Sequence, residues 1–163
     1  KHLIFTTMKR VLFLMFLLAG LSPAFSQTFF DTAIKKKWKG SGILLGSETN
    51  FVMKWNKVLD GQFYQLEFKN ERETEDGKIV FKAIGFYKIT GSASFEGTWF
   101  DTRGLSFPLK GLVSENQLVV DWGTPDTEKG KSVYTIMKTG EISVEDYVQK
   151  NGKSITFGKA IYK

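Results

Sequence analysis

Arg103 is the residue in this sequence best suited to hold a charged ligand. It follows Trp99 and Asp101 at two-residue intervals, so all three side chains would share one face of a β-strand. A guanidinium group can hold a carboxylate or a phosphate through two parallel hydrogen bonds, which a lysine does less well. Arg103 is therefore a candidate anchor for an acidic group, and the alternative is a structural arginine tied to Asp101, Asp121 or a carbonyl oxygen. Arg72, by contrast, lies in an acidic run that we interpret as a solvated turn.

A polar loop is the second candidate for chemistry. The segment 121–130 is the longest polar connection in the sequence, and Trp122 stands at its root. Three carboxylates belong to it: Asp121, Asp126 and Glu128. They could serve acid–base catalysis or bind a cation, although their spacing does not match the calcium-binding loop. The alternative is a hairpin loop that covers one end of the fold.

The composition excludes several kinds of site. The sequence has no cysteine, which rules out disulfide scaffolds, thiolate zinc sites and cysteine nucleophiles. Its single histidine is His2, so a Ser-His-Asp triad or a multi-histidine metal site has no histidine to use in the rest of the chain. We therefore predict no catalytic residues, no metal site and no cofactor.

Residues 1–26 have the pattern of a few upstream residues followed by a signal peptide. Basic residues at 9–10 precede the apolar stretch 11–21, and a small-x-small cleavage site ends at Ser26. A membrane-spanning helix needs about 20 apolar residues, so an uncleaved anchor fits this segment less well. We expect cleavage after Ser26, export to the periplasm or the exterior, and no stable membrane insertion afterwards.

The charge of the remaining chain does not favour nucleic-acid binding. The net charge of the whole sequence is +6, and removal of Lys1, Lys9 and Arg10 with the leader would reduce it to +3. So small an excess of positive charge, mixed with acidic residues, gives little attraction to a phosphate backbone. The basic run 35–39 is interpreted as a solvated entry to a strand, with contact to an anionic surface as the alternative.

From Trp38 onward, apolar side chains recur at every second position, which is the period of a β-strand and not of a helix. Turn signals such as Asp60-Gly61 and Asn151-Gly152 separate the alternating segments. The predicted strands lie near 38–45, 50–58, 62–70, 78–89, 93–101, 105–113, 117–123, 131–138, 141–149 and 153–162.

These strands predict an all-β fold, a ten-stranded antiparallel up-and-down barrel over residues 38–163, with an N-terminal arm at 27–37. Closing the sheet on itself removes the exposed edges that ten short-looped strands would otherwise leave. An eight-stranded barrel is just filled by its own side chains, so a wider barrel should enclose a cavity. The alternative is a two-sheet sandwich with a solid core.

The first predicted strand resembles that of the calycin-type barrels. Trp38-Lys39-Gly40-Ser41-Gly42 is similar to the W-x-G-x-G motif of nitrobindin-like barrels, and lipocalins have a related Gly-x-Trp. The hairpin 58–63 and the run 97–104 resemble segments of uncharacterised bacterial relatives. The resemblance implies the barrel fold and indicates little about function. Nitrobindins hold haem on a late histidine that this chain lacks, so haem binding is not implied here.

The expected barrel and the aromatic content together predict a binding protein. Aromatic residues make up 15% of the chain, and they favour a small, mainly apolar or amphipathic ligand that could carry a carboxylate or phosphate group. The expected ligand-binding residues are Trp55, Tyr64, Phe68, Tyr87, Trp99 and Arg103. Two alternatives stay open: an envelope module that contacts another protein through its outer face near Ile84, and a carboxylate-based hydrolase or isomerase.

Overall fold

A computed structural model describes residues 28–163 of the chain, so the expected signal peptide lies outside the described residues. One short helix, α1 (Phe29–Ala33), precedes ten strands. The strands are β1 (Lys37–Leu44), β2 (Ser47–Val58), β3 (Phe63–Thr74), β4 (Gly77–Ile89), β5 (Ser94–Asp101), β6 (Ser106–Val113), β7 (Gln117–Gly123), β8 (Lys129–Ile136), β9 (Ile142–Lys150) and β10 (Lys153–Tyr162).

The ten strands form one closed antiparallel barrel. Each strand pairs with the next along the chain, and β1 closes the barrel by pairing with β10, where Gly40 lies opposite Tyr162. This arrangement confirms the predicted ten-stranded up-and-down barrel. It also excludes the two-sheet sandwich, because no sheet edge is left open.

Alternation along each strand decides which side chains enter the interior. In β2, the buried residues Phe51, Met53 and Trp55 alternate with half-buried and exposed ones. Successive side chains of a strand point to opposite faces, so this alternation places the apolar set inside and leaves the polar set in water. The core is consequently one continuous cluster inside the barrel.

The two glycines of the W-x-G-x-G segment have a packing role at the seam between β1 and β10. A Cβ atom at Gly42 would lie 1.9 Å from the carbonyl oxygen of Lys159, and one at Gly40 would lie 2.7 Å from the ring of Tyr162. No side chain fits at either position without displacing backbone or a packed ring. Trp38, in the same motif, is buried and donates from its indole nitrogen to the carbonyl oxygen of Ala33 over 2.8 Å.

Within the N-terminal arm expected at 27–37, residues Phe29–Ala33 form helix α1. Its first turn is tied by Asp31, which accepts hydrogen bonds from the backbone nitrogen (2.8 Å) and the hydroxyl (3.0 Å) of Thr28. Phe29 and Phe30 are fully buried, and the Phe29 nitrogen donates to Ser114 over 2.7 Å. The helix therefore closes one end of the barrel. No helix in the described part of the chain is long and apolar enough to cross a membrane.

The hairpin between β3 and β4 is tighter than the sequence indicated. Strand β3 continues to Thr74, and a turn at 75–76 leads to Gly77, whose φ of 107° suits glycine. Arg72 is consequently a strand residue that pairs with Ile79, which corrects its assignment to a solvated turn. Local composition had suggested the turn, because the acidic residues around Arg72 disfavour strands.

Candidate functional site

The barrel encloses a cavity of about 390 Å³. The cavity lies between the side chains packed against α1, at the closed end, and the opposite end of the barrel. That opposite end, called the mouth below, is formed by the loops at 45–46, 75–76, 102–105, 124–128 and 151–152. The cavity walls are mainly apolar, and seven aromatic rings contribute to them besides the tyrosines described below. These rings belong to Phe51, Phe68, Phe81, Trp99, Phe107, Trp122 and Phe157.

Four of the six residues expected to bind a ligand line this cavity. They are Phe68, Tyr87, Trp99 and Arg103. The other two, Trp55 and Tyr64, lie at the closed end and are not among the lining residues. Tyr64 stacks on Phe30 with ring centroids 4.1 Å apart, and Trp55 packs edge-on against the same ring at 5.5 Å. Their inward orientation was predictable, but their depth depends on α1.

Arg103 stands at the mouth and bridges two carboxylates of its own chain. Its Nη2 donates to Oδ2 of Asp101 over 2.7 Å, and its Nη1 donates to Glu128 over 3.0 and 3.1 Å. The Asp101 carboxylate is fully shielded, whereas 44% of the Arg103 side chain stays exposed. Both ends of the guanidinium group are therefore occupied. This arrangement is that of a structural arginine, which was the alternative to ligand binding.

The electrostatics of the mouth follow from this bridge. Shielding of Asp101 would raise the pKa of its carboxyl, but the hydrogen bonds from Arg103 outweigh this and hold the pKa below its usual value. The same contacts raise the pKa of the Arg103 guanidinium, so both groups stay charged. Glu128 belongs to the loop after β7, and the bridge thus ties that loop to the one after β5.

The loop carboxylates predicted as an alternative site lie on the surface. Asp126 is exposed, and the Asp121 side chain is about half exposed and lies 3.6 Å from Lys131. Among residues 28–163, no group of three or more acidic or histidine side chains is placed to hold a metal ion. The loop 124–128 contributes Glu128 to the mouth and brings no cluster of carboxylates to the interior.

The carboxylate inside the cavity belongs to Asp146, which the sequence analysis did not select. Asp146 lies in the middle of β9, opposite Ser132 of β8, whose hydroxyl donates to its Oδ1 over 2.6 Å. Burial raises the pKa of this carboxyl to about 6, and the hydrogen bond from Ser132 offsets part of the effect. The surface that the side chain retains faces the cavity.

Three tyrosines share the cavity with Asp146. They are Tyr87, Tyr134 and Tyr162. Burial raises the pKa of all three phenols, and the negative charge of Asp146 raises each of them further. The phenols therefore stay protonated, and each presents a hydroxyl group in an otherwise apolar interior. The carboxylate, the Ser132 hydroxyl, the phenols and the buried side chain of Asn70 form the polar part of the cavity, with Arg72, Arg103 and Glu128 at the mouth.

A sequence signal for Asp146 existed. Ile142, Val144 and Asp146 stand at two-residue intervals, and the first two are buried. A charged residue on the inward side of a strand is unusual, because burial of a charge is costly unless it is partnered. The neighbouring Glu145 has the opposite orientation and pairs with Lys159, which makes the local charge pattern look like an ordinary surface.

Comparisons with known proteins assign no family to the chain. No protein-family model matches the sequence, and no curated protein is similar enough to match it.

Proposed function

We propose that this protein binds a small, mainly apolar molecule in the cavity of the barrel, and that it does so after export from the cytoplasm. The observation that carries the proposal is the cavity of about 390 Å³ lined by aromatic side chains. This volume falls within the range of about 300 to 1,000 Å³ that is common for small-molecule sites. Export rests on the signal-peptide pattern of residues 1–26.

The width of the barrel supports the proposal. Large side chains fill the closed end completely, where Phe29, Phe30 and Trp55 are each at most 1% exposed. Toward the mouth, rings of similar size leave space between them, because ten strands enclose a wider cylinder than eight. The interior is packed at the closed end and open toward the mouth, so a ligand could enter at the mouth and rest against the packed side chains.

The outer face gives weaker support for an interaction module. Ile84 and Phe100 are cross-strand neighbours that are 40% and 48% exposed. Other exposed apolar residues, such as Ile43 and Leu112, stand on different strands. Single exposed apolar residues are normal on a protein surface, so a pair of them adds little evidence for a docking site.

Fluorescence titration with N-phenyl-naphthylamine, an apolar probe, tests the proposal. Val120 is buried and lines the cavity, whereas Val119 points outward from the same strand. We expect wild-type protein and Val119→Phe to bind the probe, and Val120→Phe to bind it at least about ten-fold more weakly because the added ring occupies the cavity. Thermal unfolding of both variants verifies that they are folded.

Two results would count against cavity binding. One is the absence of probe binding to folded wild-type protein. The other is equal binding by the two folded valine variants, which would place the probe on the outer surface. Native mass spectrometry of protein purified from its host would add the mass of any bound molecule.

A further inference from the structure

Resting on the proposed function, we propose that the cavity selects ligands whose polar end is a protonated amine, and that Asp146 is its partner. The rest of such a ligand would be an aryl or alkyl body that packs against the aromatic walls. This inference gives the ligand a charge opposite to that of the carboxylate or phosphate suggested by the sequence.

The carboxylate of Asp146 is only half satisfied. Its Oδ1 accepts the hydrogen bond from Ser132, over 2.6 Å. Its Oδ2 has no hydrogen-bond or ion-pair partner among residues 28–163. A carboxylate can accept several hydrogen bonds, and Oδ2 keeps surface open to the cavity, where a donor can reach it. A ligand that donates to Oδ2 would satisfy it.

The backbone of β10 keeps space open beside this oxygen. The register of β10 against β9 shifts between Thr156 and Gly158, and Gly158 lies opposite Asp146. A Cβ atom at Gly158 would lie 3.0 Å from Oδ2 of Asp146, so glycine leaves this oxygen uncovered. The residue of β10 opposite Asp146 therefore contributes no side chain over the carboxylate.

The arginines of the barrel do not neutralise Asp146. Arg103 is engaged by Asp101 and Glu128 at the mouth, and Arg72 donates to Asn70 over 3.4 Å. Both line the cavity, but neither forms an ion pair with Asp146 within the described residues. A ligand carboxylate that reached past the mouth into the cavity would be repelled by the negative charge of Asp146.

The aromatic walls suit a cation as well. An ammonium group is attracted to the faces of tyrosine and tryptophan rings, and the attraction grows when water is excluded. Tyr87 and Trp99 line the same cavity, and the ring of Tyr87 is almost fully buried. A primary ammonium has three donors, so it could bond Oδ2 of Asp146 while its other protons face phenol oxygens.

The experiment compares three probes that share an aryl-alkyl body and differ in their polar end: phenylbutylamine, phenylbutanol and phenylbutyrate. Binding is measured by calorimetry and by quenching of tryptophan fluorescence, since Trp99 and Trp122 line the cavity. At pH 7.5 we expect the amine to bind at least about ten-fold more tightly than the alcohol, which is the size of effect typical of a charge-assisted hydrogen bond. The carboxylate should bind most weakly.

The variant Asp146→Asn keeps the shape of the side chain and removes its charge. We expect it to bind the amine about ten-fold more weakly than wild type, with the alcohol changed by less than about two-fold. The matched control is Asp121→Asn, which removes a half-exposed carboxylate from the outer side of β7. That control should leave the preference for the amine intact.

A pH series gives an independent readout. The groups that face Asp146 are Ser132 and Tyr134 of β8, Tyr162 of β10 and Tyr87 of β4. The charged groups of the same cavity lie at the mouth and are Arg72, Arg103 and Glu128. The pKa of the Asp146 carboxyl is about 6, and the phenols titrate far above this. Amine binding should therefore weaken below about pH 6, and alcohol binding should change little.

The outcomes separate this inference from the proposed function. Equal binding of amine, alcohol and carboxylate, or an amine affinity unchanged in Asp146→Asn, would overturn the amine selectivity while leaving cavity binding in place. Tighter binding of the carboxylate would overturn it as well and point to the mouth arginines. Failure of all three probes and of N-phenyl-naphthylamine would refute the proposed function itself.

Discussion

At the scale of single residues, Asp146 and Asp101 show how two carboxylates of one barrel acquire opposite properties. Asp101 is shielded by Arg103, whose hydrogen bonds lower the pKa of the carboxyl. Asp146 receives a single hydroxyl donor inside the barrel, and burial raises the pKa of its carboxyl. Asp101 has a cation beside it and Asp146 has none, and this decides the opposite directions of their pKa shifts. Asp146 is therefore a cost to the folded protein at neutral pH.

This cost predicts a pH-dependent stability difference between wild type and Asp146→Asn. The unfolded chain releases the Asp146 proton near pH 3.8 and the folded protein near pH 6, so the folded state binds more protons between these values. The contribution of Asp146 to stability falls as pH rises through this window, by about 3 kcal/mol in total. Asp146→Asn should gain stability relative to wild type from pH 4 to pH 7.

Urea unfolding of both proteins across this pH range measures the difference. The carboxyls whose pKa is lowered, such as those of Asp101 and Glu145, contribute the opposite slope, but they are common to both proteins and cancel. A difference in unfolding free energy that stays constant from pH 4 to pH 7 would show that Asp146 is not buried as a charged group.

At the scale of elements, α1 acts as the floor of the barrel. Phe30 inserts between Trp55, Tyr64 and Tyr87, with ring centroids 5.5, 4.1 and 6.0 Å away. A helix of five residues has little stability of its own, so its position depends on these contacts. The packing of the closed end therefore depends on a segment that lies outside the sheet.

We expect Phe30→Ala to lower the free energy of unfolding by about 3 to 5 kcal/mol, the usual cost of removing a buried phenylalanine. The matched control is Phe100→Ala, because Phe100 is 48% exposed on the outer face and should cost far less. Urea unfolding at pH 7 gives both values. Equal effects of the two substitutions would mean that α1 does not pack against the barrel.

At the scale of the whole molecule, one seam decides whether the sheet is a barrel or an open sheet. Strands β1 and β10 are the first and last of the ten, and only their pairing closes the cylinder. The glycines of β1 allow this pairing, since a side chain at Gly42 would collide with the backbone at Lys159. Closure therefore depends on two small residues that local strand propensity would disfavour.

The seam predicts that Gly42→Ala is more destabilising than Gly40→Ala. At Gly42 the added carbon would lie 1.9 Å from a backbone oxygen, which cannot move without breaking the pairing. At Gly40 the two nearest atoms belong to the Tyr162 ring, and the backbone oxygen of Ile161 is 2.9 Å away. We expect a loss of at least about 2 kcal/mol for Gly42→Ala and a smaller one for Gly40→Ala. Thermal and urea unfolding provide the comparison, and the reverse order would show that the Tyr162 ring is the more rigid neighbour.

The alternation of residue types and the turn signals determined the ten strands, because both are local properties of the chain. Period-two alternation places a side chain on the inner or outer face whatever lies across the barrel. The predicted strands consequently agree with the observed ones to within a few residues. Strands β2 and β3 differ most, at their mouth ends, and β8 is displaced along the chain at both ends. Trp99, Phe68 and Tyr87 were recognised as inward-facing for the same reason.

Tertiary structure alone decided what each inward side chain meets. Alternation gives the face of a strand and not the depth along the barrel, so it could not place Trp55 beside α1 or Arg103 beside Glu128, which is 25 residues away. Alternation also did not distinguish Asp146 from the charged residues of the surface. Neighbours across a closed barrel come from strands far apart in the chain, and the contacts that shift a pKa or leave a cavity exist only once the cylinder has closed.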